Sequence, residues 1–178
     1  MELELHQAHP VDGAALRQVC GTFVTGVTVI TAGTGEETMG TTVNSFTSVS
    51  LDPPMVLFCL HRNSRLAPLI REGRAYVVNL LAGRQERLAW AFAGRQRTLL
   101  TDVADRRAVN GVPVLNDALS FLACRVAQEV DGGDHIIFIG DVIELGIPRR
   151  TRKPLIFFGG AMGELEHETV DLTPHWEA

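Results

Sequence analysis

Lysine occurs once in this chain, at Lys153, and cysteine three times, at Cys20, Cys59 and Cys124. The cysteines are widely spaced, odd in number and without a C-x-x-C pair, which argues against a disulfide framework and reads as reduced thiols. Six histidines are scattered with no H-x-x-x-H or other compact ligand pattern, so no metal site is expected. Positive charge is also in deficit. A formal net charge of -5 removes the attraction to phosphate backbones on which nucleic-acid binding depends. Met1 to His9 carries Glu2 and Glu4 with no basic flank and no long apolar run, so neither a secretory signal nor a membrane span is expected, and the protein is expected to be cytoplasmic.

Several nucleotide and hydrolase motifs are missing as well. Gly33, Gly35 and Gly40 do not fit G-x-G-x-x-G, and no G-x-x-x-x-G-K-[ST] occurs, so neither a Rossmann fingerprint nor a P-loop is present. No G-x-S-x-G elbow is found. Cys59 and His61 are expected on opposite faces of one strand, which would rule out a nucleophile and base pair.

What is present suits one domain. With 178 residues and 46% hydrophobic content, the chain can bury one complete core, and a single domain over 1–178 is expected, its core at about 12–160 and an acidic tail at 161–178. Asp12 is a candidate N-cap for a helix whose Leu16, Val19, Cys20 and Phe23 share a face, expected to cover one end of a sheet. Val27 to Ala32 and the stretch from Thr38 read as a hairpin, and Met55 to Leu60 as a central strand buried on both faces. Ser64 is expected to cap a short helix through Arg71, followed by a strand over Ala75 to Leu81 and a helical segment from Gln85 to Ala93 closed by Gly94. Arg95 to Asn116 reads as a flexible excursion. Two long strands, Ala118 to Val130 and His135 to Leu145, flank Asp131, Gly132, Gly133 and Asp134, residues that tolerate positive φ. Leu155 to Phe158 reads as the last strand. This pattern predicts a mainly β fold, a closed antiparallel barrel with a few short helices.

The most informative stretch is 38–50, where Thr38, Thr41, Thr42, Asn44, Ser45, Thr47, Ser48 and Ser50 make eight of thirteen residues. Each unsatisfied buried polar group costs about 1–3 kcal/mol, so something polar must meet them. An edge strand running into Ser/Thr turns is one reading. The other is a wall of small donors and acceptors around a polar planar ligand that carries a phosphate. The second is favoured by Arg62, Asn63, Ser64 and Arg65 at an expected helix N-terminus, where free amides and the dipole attract anions. His135, after the Gly-Gly turn, stands at the mouth of a cleft, although a lone strand-end histidine is more often structural.

Gly40 to Pro54 (GTTVNSFTSVSLDPP), the strand VLFCL, GGDH at 132–135, LRQVCGTFVTGVTVIT near the start and PLIFFGG near the end together resemble the flavin reductase-like family, over about Leu16 to Gly160. The resemblance implies an antiparallel split β-barrel homodimer that reduces FAD or FMN with NADH or NADPH. It further implies that reduced flavin passes to a separate monooxygenase in a bacterial natural-product or aromatic-metabolism pathway. Carried over by motif, Asn44, Ser45, Phe46, Thr47, Ser48 and Ser50 contact the flavin, Cys59 and Leu60 flank its ring, and Ser64 with Arg65 meets the phosphate end. Phe92 corresponds to an aromatic at the flavin edge and reads equally as a core residue. His135, Phe158 and Gly159 fall on the nicotinamide side, His135 being the one catalytic residue expected. Relatives often carry tyrosine where this chain has Phe157 and Phe158. Two other readings stay open: a flavin-dependent oxidase of the pyridoxamine phosphate type, whose substrate-phosphate basic cluster is not evident here, and a non-enzymatic flavin-binding protein.

Overall fold

The computed structural model describes residues 10–35, 37–95, 100–147 and 152–165. Helix α1, Gly13–Cys20, begins where Asp12 Oδ1 accepts from the N–H groups of Ala14 and Ala15, both at 2.8 Å. The chain then forms β1 (Thr25–Gly26), β2 (Thr28–Ala32), β3 (Met39–Val43), β4 (Thr47–Leu51) and β5 (Pro54–His61). Helix α2 (Leu66–Gly73) leads into β6 (Ala75–Leu80), and α3 (Glu86–Trp90) runs into a wider turn that ends at Gly94 with φ 90°. The short strands β7 (Arg106–Arg107) and β8 (Pro113–Val114) precede the long hairpin of β9 (Ser120–Gly132) and β10 (His135–Gly146). Two further strands, β11 (Leu155–Phe158) and β12 (Ala161–Glu164), end the described chain.

Seven strands form one antiparallel sheet in the order β3-β2-β6-β9-β10-β5-β4. Strands β3 and β4 lie at opposite ends of that order, yet only residues 44–46 separate them in sequence. Such a link reaches at most about 14 Å, so the sheet must curl until its edges meet. The mainly β antiparallel barrel expected from the sequence is therefore the observed fold. A three-stranded sheet, β1-β11-β12, lies beside it.

The barrel interior holds Ile30, Val56, Phe58, Tyr76, Val78, Val126, Ile136 and Phe138, and α2 adds buried Leu66, Ala67 and Ile70. The Phe58 ring stacks on Phe138 at 5.6 Å and meets Tyr76 edge-on at 4.9 Å. Packing is close enough to dictate a glycine: a β-carbon on Gly140 would lie 2.2 Å from the Tyr76 hydroxyl.

Four expectations need correction. Strand β5 is not buried on both faces, because Val56, Phe58 and Leu60 enter the core while Met55, Leu57 and Cys59 are only half-buried. It neighbours an edge strand, and its outer face lacks the helical cover that parallel sheets possess. Helix α1 covers no sheet end, since none of its residues is buried. Residues 100–116 are not a free excursion: Ala108, Val112, Val114 and Leu115 are buried, and hydrogen bonds described below fix them, whereas 96–99 lie outside the described residues. Finally, the proposed acidic tail starts with a strand, β12, which pairs with β11, and 166–178 lie outside the described residues.

Residues 100–116 are held by a buried polar junction. Asn79 donates to the Val29 carbonyl at 3.0 Å and to Thr31 Oγ1 at 3.2 Å, and its Oδ1 accepts from Leu115 N–H at 2.8 Å. Thr31 in turn donates to the Pro113 carbonyl at 2.6 Å. Asn110 donates to the carbonyls of Tyr76 and Cys124 at 3.1 and 3.2 Å. Among the described residues no helix is long and apolar enough to cross a membrane.

Candidate functional site

Where the end of β3 meets β5, a cavity of about 450 Å³ opens. One wall is Thr41, Thr42, Val43, Asn44 and Ser45; the other is Cys59, Leu60 and His61, with Asn63 and Ser64 beyond and His135 across from them. The sheet geometry makes this wall. Ser45 Oγ accepts from Cys59 N–H at 2.9 Å and donates to the Cys59 carbonyl at 3.2 Å, so one side chain replaces the missing strand pairing.

The hydroxyls around the cavity divide into two kinds. Those of Thr42 and Ser45 donate to backbone carbonyls, of Ala89 at 2.6 Å and of Cys59, and shape the wall. The Asn44 amide donates to Thr25 Oγ1 at 3.2 Å. Ser64 Oγ accepts from Leu66 N–H at 3.3 Å, which leaves its proton for a ligand. Helix α2 starts at Leu66, with Arg65 at the N-cap position and no side-chain cap, so Ser64 sits one residue earlier than a cap would.

The hairpin turn brings in the second half of the site. His61 and His135 are direct partners across β5 and β10, and their rings meet edge-on at 5.5 Å. Asn63 N–H donates to His61 Nδ1 at 3.2 Å, and His135 Nδ1 lies 2.8 Å from Asp134 Oδ1. The hydrogen bond from His135 holds the Asp134 carboxyl below the usual carboxylate range. Arg62 secures the turn from outside: its N–H donates to the Asp134 carbonyl at 2.9 Å, its Nε to the Gly133 carbonyl at 2.5 Å, and its guanidinium pairs with Asp131 at 2.9 Å. Gly133 takes φ 74°, the left-handed conformation for which glycine suits such a turn.

Of the residues carried over by motif, the cavity gathers Asn44, Ser45, Cys59, Leu60, Ser64 and His135. The others stand apart from it. Thr47 and Ser48 are exposed on β4, and Ser50 is half-buried there. Phe46 packs against the main core, and Arg65 is exposed. Phe92 is buried in a second core cluster, its ring 3.0 Å from where a Gly40 β-carbon would be. Phe158 is about half exposed at the end of β11, and Gly159 N–H donates to the Gly21 carbonyl at 2.9 Å.

Sequence reasoning gave His61 no place in the site, whereas Asn63, read with Arg62, Ser64 and Arg65 as an anion-attracting element, does line the cavity. It also placed Cys59 and His61 on opposite faces of their strand; residues two apart share a face, and both line the cavity. That period was the available signal for His61. No group of three or more metal-binding side chains occurs among the described residues.

A profile of the Flavin reductase like domain matches residues 20–166. The reductase component of a 4-nitrophenol 4-monooxygenase/4-nitrocatechol 2-monooxygenase from Rhodococcus opacus is 37% identical over 154 residues, 86% of this chain and 82% of the relative. The FMN reductase (NADH) SmoA of Agrobacterium fabrum is 38% identical over 154 residues, 86% of this chain and 87% of its own. Among solved structures, the NADH:FAD oxidoreductase SgcE6 of Streptomyces globisporus C-1027, in complex with NAD and FAD fragments, superposes with a TM-score of 0.84 at 34% identity, covering 93% of this chain and all of that one.

Proposed function

This chain belongs to the flavin reductase-like domain family, and on that premise we propose that it is an NADH-dependent FAD or FMN reductase supplying reduced flavin to a separate monooxygenase component. The observation that carries the reading is the cavity between β3 and β5: its volume suits a cofactor ring system, and its walls are uncharged hydroxyl, amide and backbone groups. Such donors satisfy ring carbonyls without adding charge, which fits a flavin.

Asn44, Ser45, Cys59 and Leu60 would hold the ring, with Ser64 toward the phosphate end. Bound flavin supplies the hydride acceptor, chemistry that no side chain of the site provides. The chain's own task is to bind, orient and exclude water, because transfer between stacked rings depends on their alignment at near-attack distance. Ser45 serves it by fixing the Cys59 backbone. His135 serves it at the nicotinamide side, its ring held by Asp134. Phe46, Thr47, Ser48, Ser50, Arg65, Phe92, Phe158 and Gly159 keep their family assignment within this reading, the exposed ones meeting ligand from the open side or across a subunit boundary.

The working form in this reading is a homodimer. Leu16, Val19 and Phe23 are 58%, 67% and 74% exposed along and just after α1, an apolar stripe that none of the described residues covers. A second copy covering that stripe would account for a helix whose hydrophobic face is otherwise in water. A cytoplasmic location is part of the proposal, supported by Cys20, Cys59 and Cys124, all free thiols.

Anaerobic stopped-flow absorbance tests the activity, mixing the protein and FAD or FMN with NADH or NADPH. Rapid bleaching of the oxidised-flavin band with one pair is expected, and the pair identifies the cofactors. Binding without bleaching would overturn the reductase reading and leave the storage and oxidase readings. Sedimentation of Leu16→Glu and Phe23→Glu variants tests the dimer; both are expected to run as monomers.

A further inference from the structure

His61 and His135 share the cavity, and each engages Nδ1, but against a donor in one case and a carboxylate in the other. His61 Nδ1 accepts from the Asn63 N–H, so in the neutral ring the proton is on Nε2 and that nitrogen is a donor. His135 Nδ1 faces the Asp134 carboxylate, so in the neutral ring the proton is on Nδ1 and Nε2 is an acceptor. Register places the two residues directly opposite each other, with ring centroids 5.5 Å apart. The site therefore offers one donor and one acceptor side by side, the complement of a primary carboxamide.

We propose that His61 and His135 form a donor–acceptor pair that recognises the carboxamide of the nicotinamide ring, His61 Nε2–H donating to the amide carbonyl and His135 Nε2 accepting from the amide NH₂. The inference rests on the reductase reading and adds His61 as a specificity-determining residue. Its value to the chain is orientation. The carboxamide sits beside the ring carbon that gives up hydride, so holding both of its polar atoms fixes which way that carbon faces. The tautomers are set locally, by a backbone amide two residues on and by the preceding carboxylate, so the pair is preorganised before any ligand arrives.

The test compares NAD⁺ with its 3-acetylpyridine analogue, which keeps the carbonyl and replaces NH₂ by methyl. Binding of each to FAD-saturated protein is measured by titration calorimetry, where no hydride moves, and kcat/KM is measured for the two reduced forms. One lost hydrogen bond corresponds to about five- to tenfold in affinity. Wild type is expected to bind NAD⁺ more tightly by about that factor. His135→Ala should weaken NAD⁺ and abolish the preference. His61→Phe, which keeps a ring but loses the donor, should weaken both dinucleotides alike and by a larger factor than it raises the KM for FAD, and His61→Asn, which keeps an N–H, should recover part of the loss. Both positions are at least partly exposed, and wild-type discrimination can be measured with no variant at all. No preference in wild type, a preference that survives His135→Ala, or an effect of His61→Phe confined to FAD overturns the proposal while leaving the reductase reading intact. Failure of wild type to oxidise NADH with either flavin overturns both.

Discussion

Ser45 and Cys59 exchange two hydrogen bonds, the Ser45 hydroxyl accepting from Cys59 N–H at 2.9 Å and donating to the Cys59 carbonyl at 3.2 Å. This exchange ties the short link between β3 and β4 to the middle of β5. It closes the barrel and builds the cavity wall in one step. Ser45→Ala leaves both backbone groups of Cys59 without these partners, at an expected cost of about 1–2 kcal/mol in unfolding free energy. Thermal melts should show that loss, and the KM for flavin should rise with it.

The cysteines report on the same wall. Burial pushes the Cys124 thiol up to about 12, and it lies in the core, whereas Cys59 is half-buried at the cavity. In a Cys20→Ser background, a maleimide is expected to label Cys59 in the native protein and Cys124 only after unfolding. FAD or FMN should slow the labelling of Cys59. If neither does, the flavin is not in this cavity.

Asn79 joins β2, β6 and the 100–116 segment through three hydrogen bonds in a fully buried position. Asn79→Leu keeps the approximate shape but takes these partners from the Val29 carbonyl and the Leu115 N–H, while the Thr31 hydroxyl keeps only its bond to the Pro113 carbonyl. The expected loss is about 3 kcal/mol, or roughly 10 °C in Tm. Hydrogen exchange should quicken at the Leu115 amide before it does in the central strands.

Glu129 on β9 receives hydrogen bonds from the Arg71 guanidinium of α2, and these hold its carboxyl below the usual range. An acid depressed on folding stabilises the native state above its unfolded pKa, about 4.3, and that contribution is lost as the pH falls below it. Glu129→Gln should flatten this part of the acid limb in chemical denaturation curves taken between about pH 5 and 3. At neutral pH the pair lies largely in water, and its loss should cost less than about 1 kcal/mol.

Much of the strand pattern was legible because local chemistry wrote it. Gly133 and Asp134 form the turn between β9 and β10, Asp12 caps α1, and Gly94 ends the turn after α3. The polar run at 38–50 announced a polar wall, and Ser45 and Asn44 are in it. What the pattern hid was pairing between distant strands. Nothing near Asn79 in sequence shows that it anchors Leu115, and 95–116 looked free for that reason. His61 was overlooked because its partner, His135, is brought opposite it only by β5–β10 registration.

By itself the sequence determined the antiparallel β class, the principal turns, the polar character of the 38–50 stretch and the family, since each is carried by residues close together along the chain. Only the tertiary structure decided which side chains meet at the cavity, which hydroxyls are already committed to the barrel, and which group faces Nδ1 of each histidine. Those outcomes depend on registers and contacts between residues 14 to 82 positions apart, and local propensity carries no record of them.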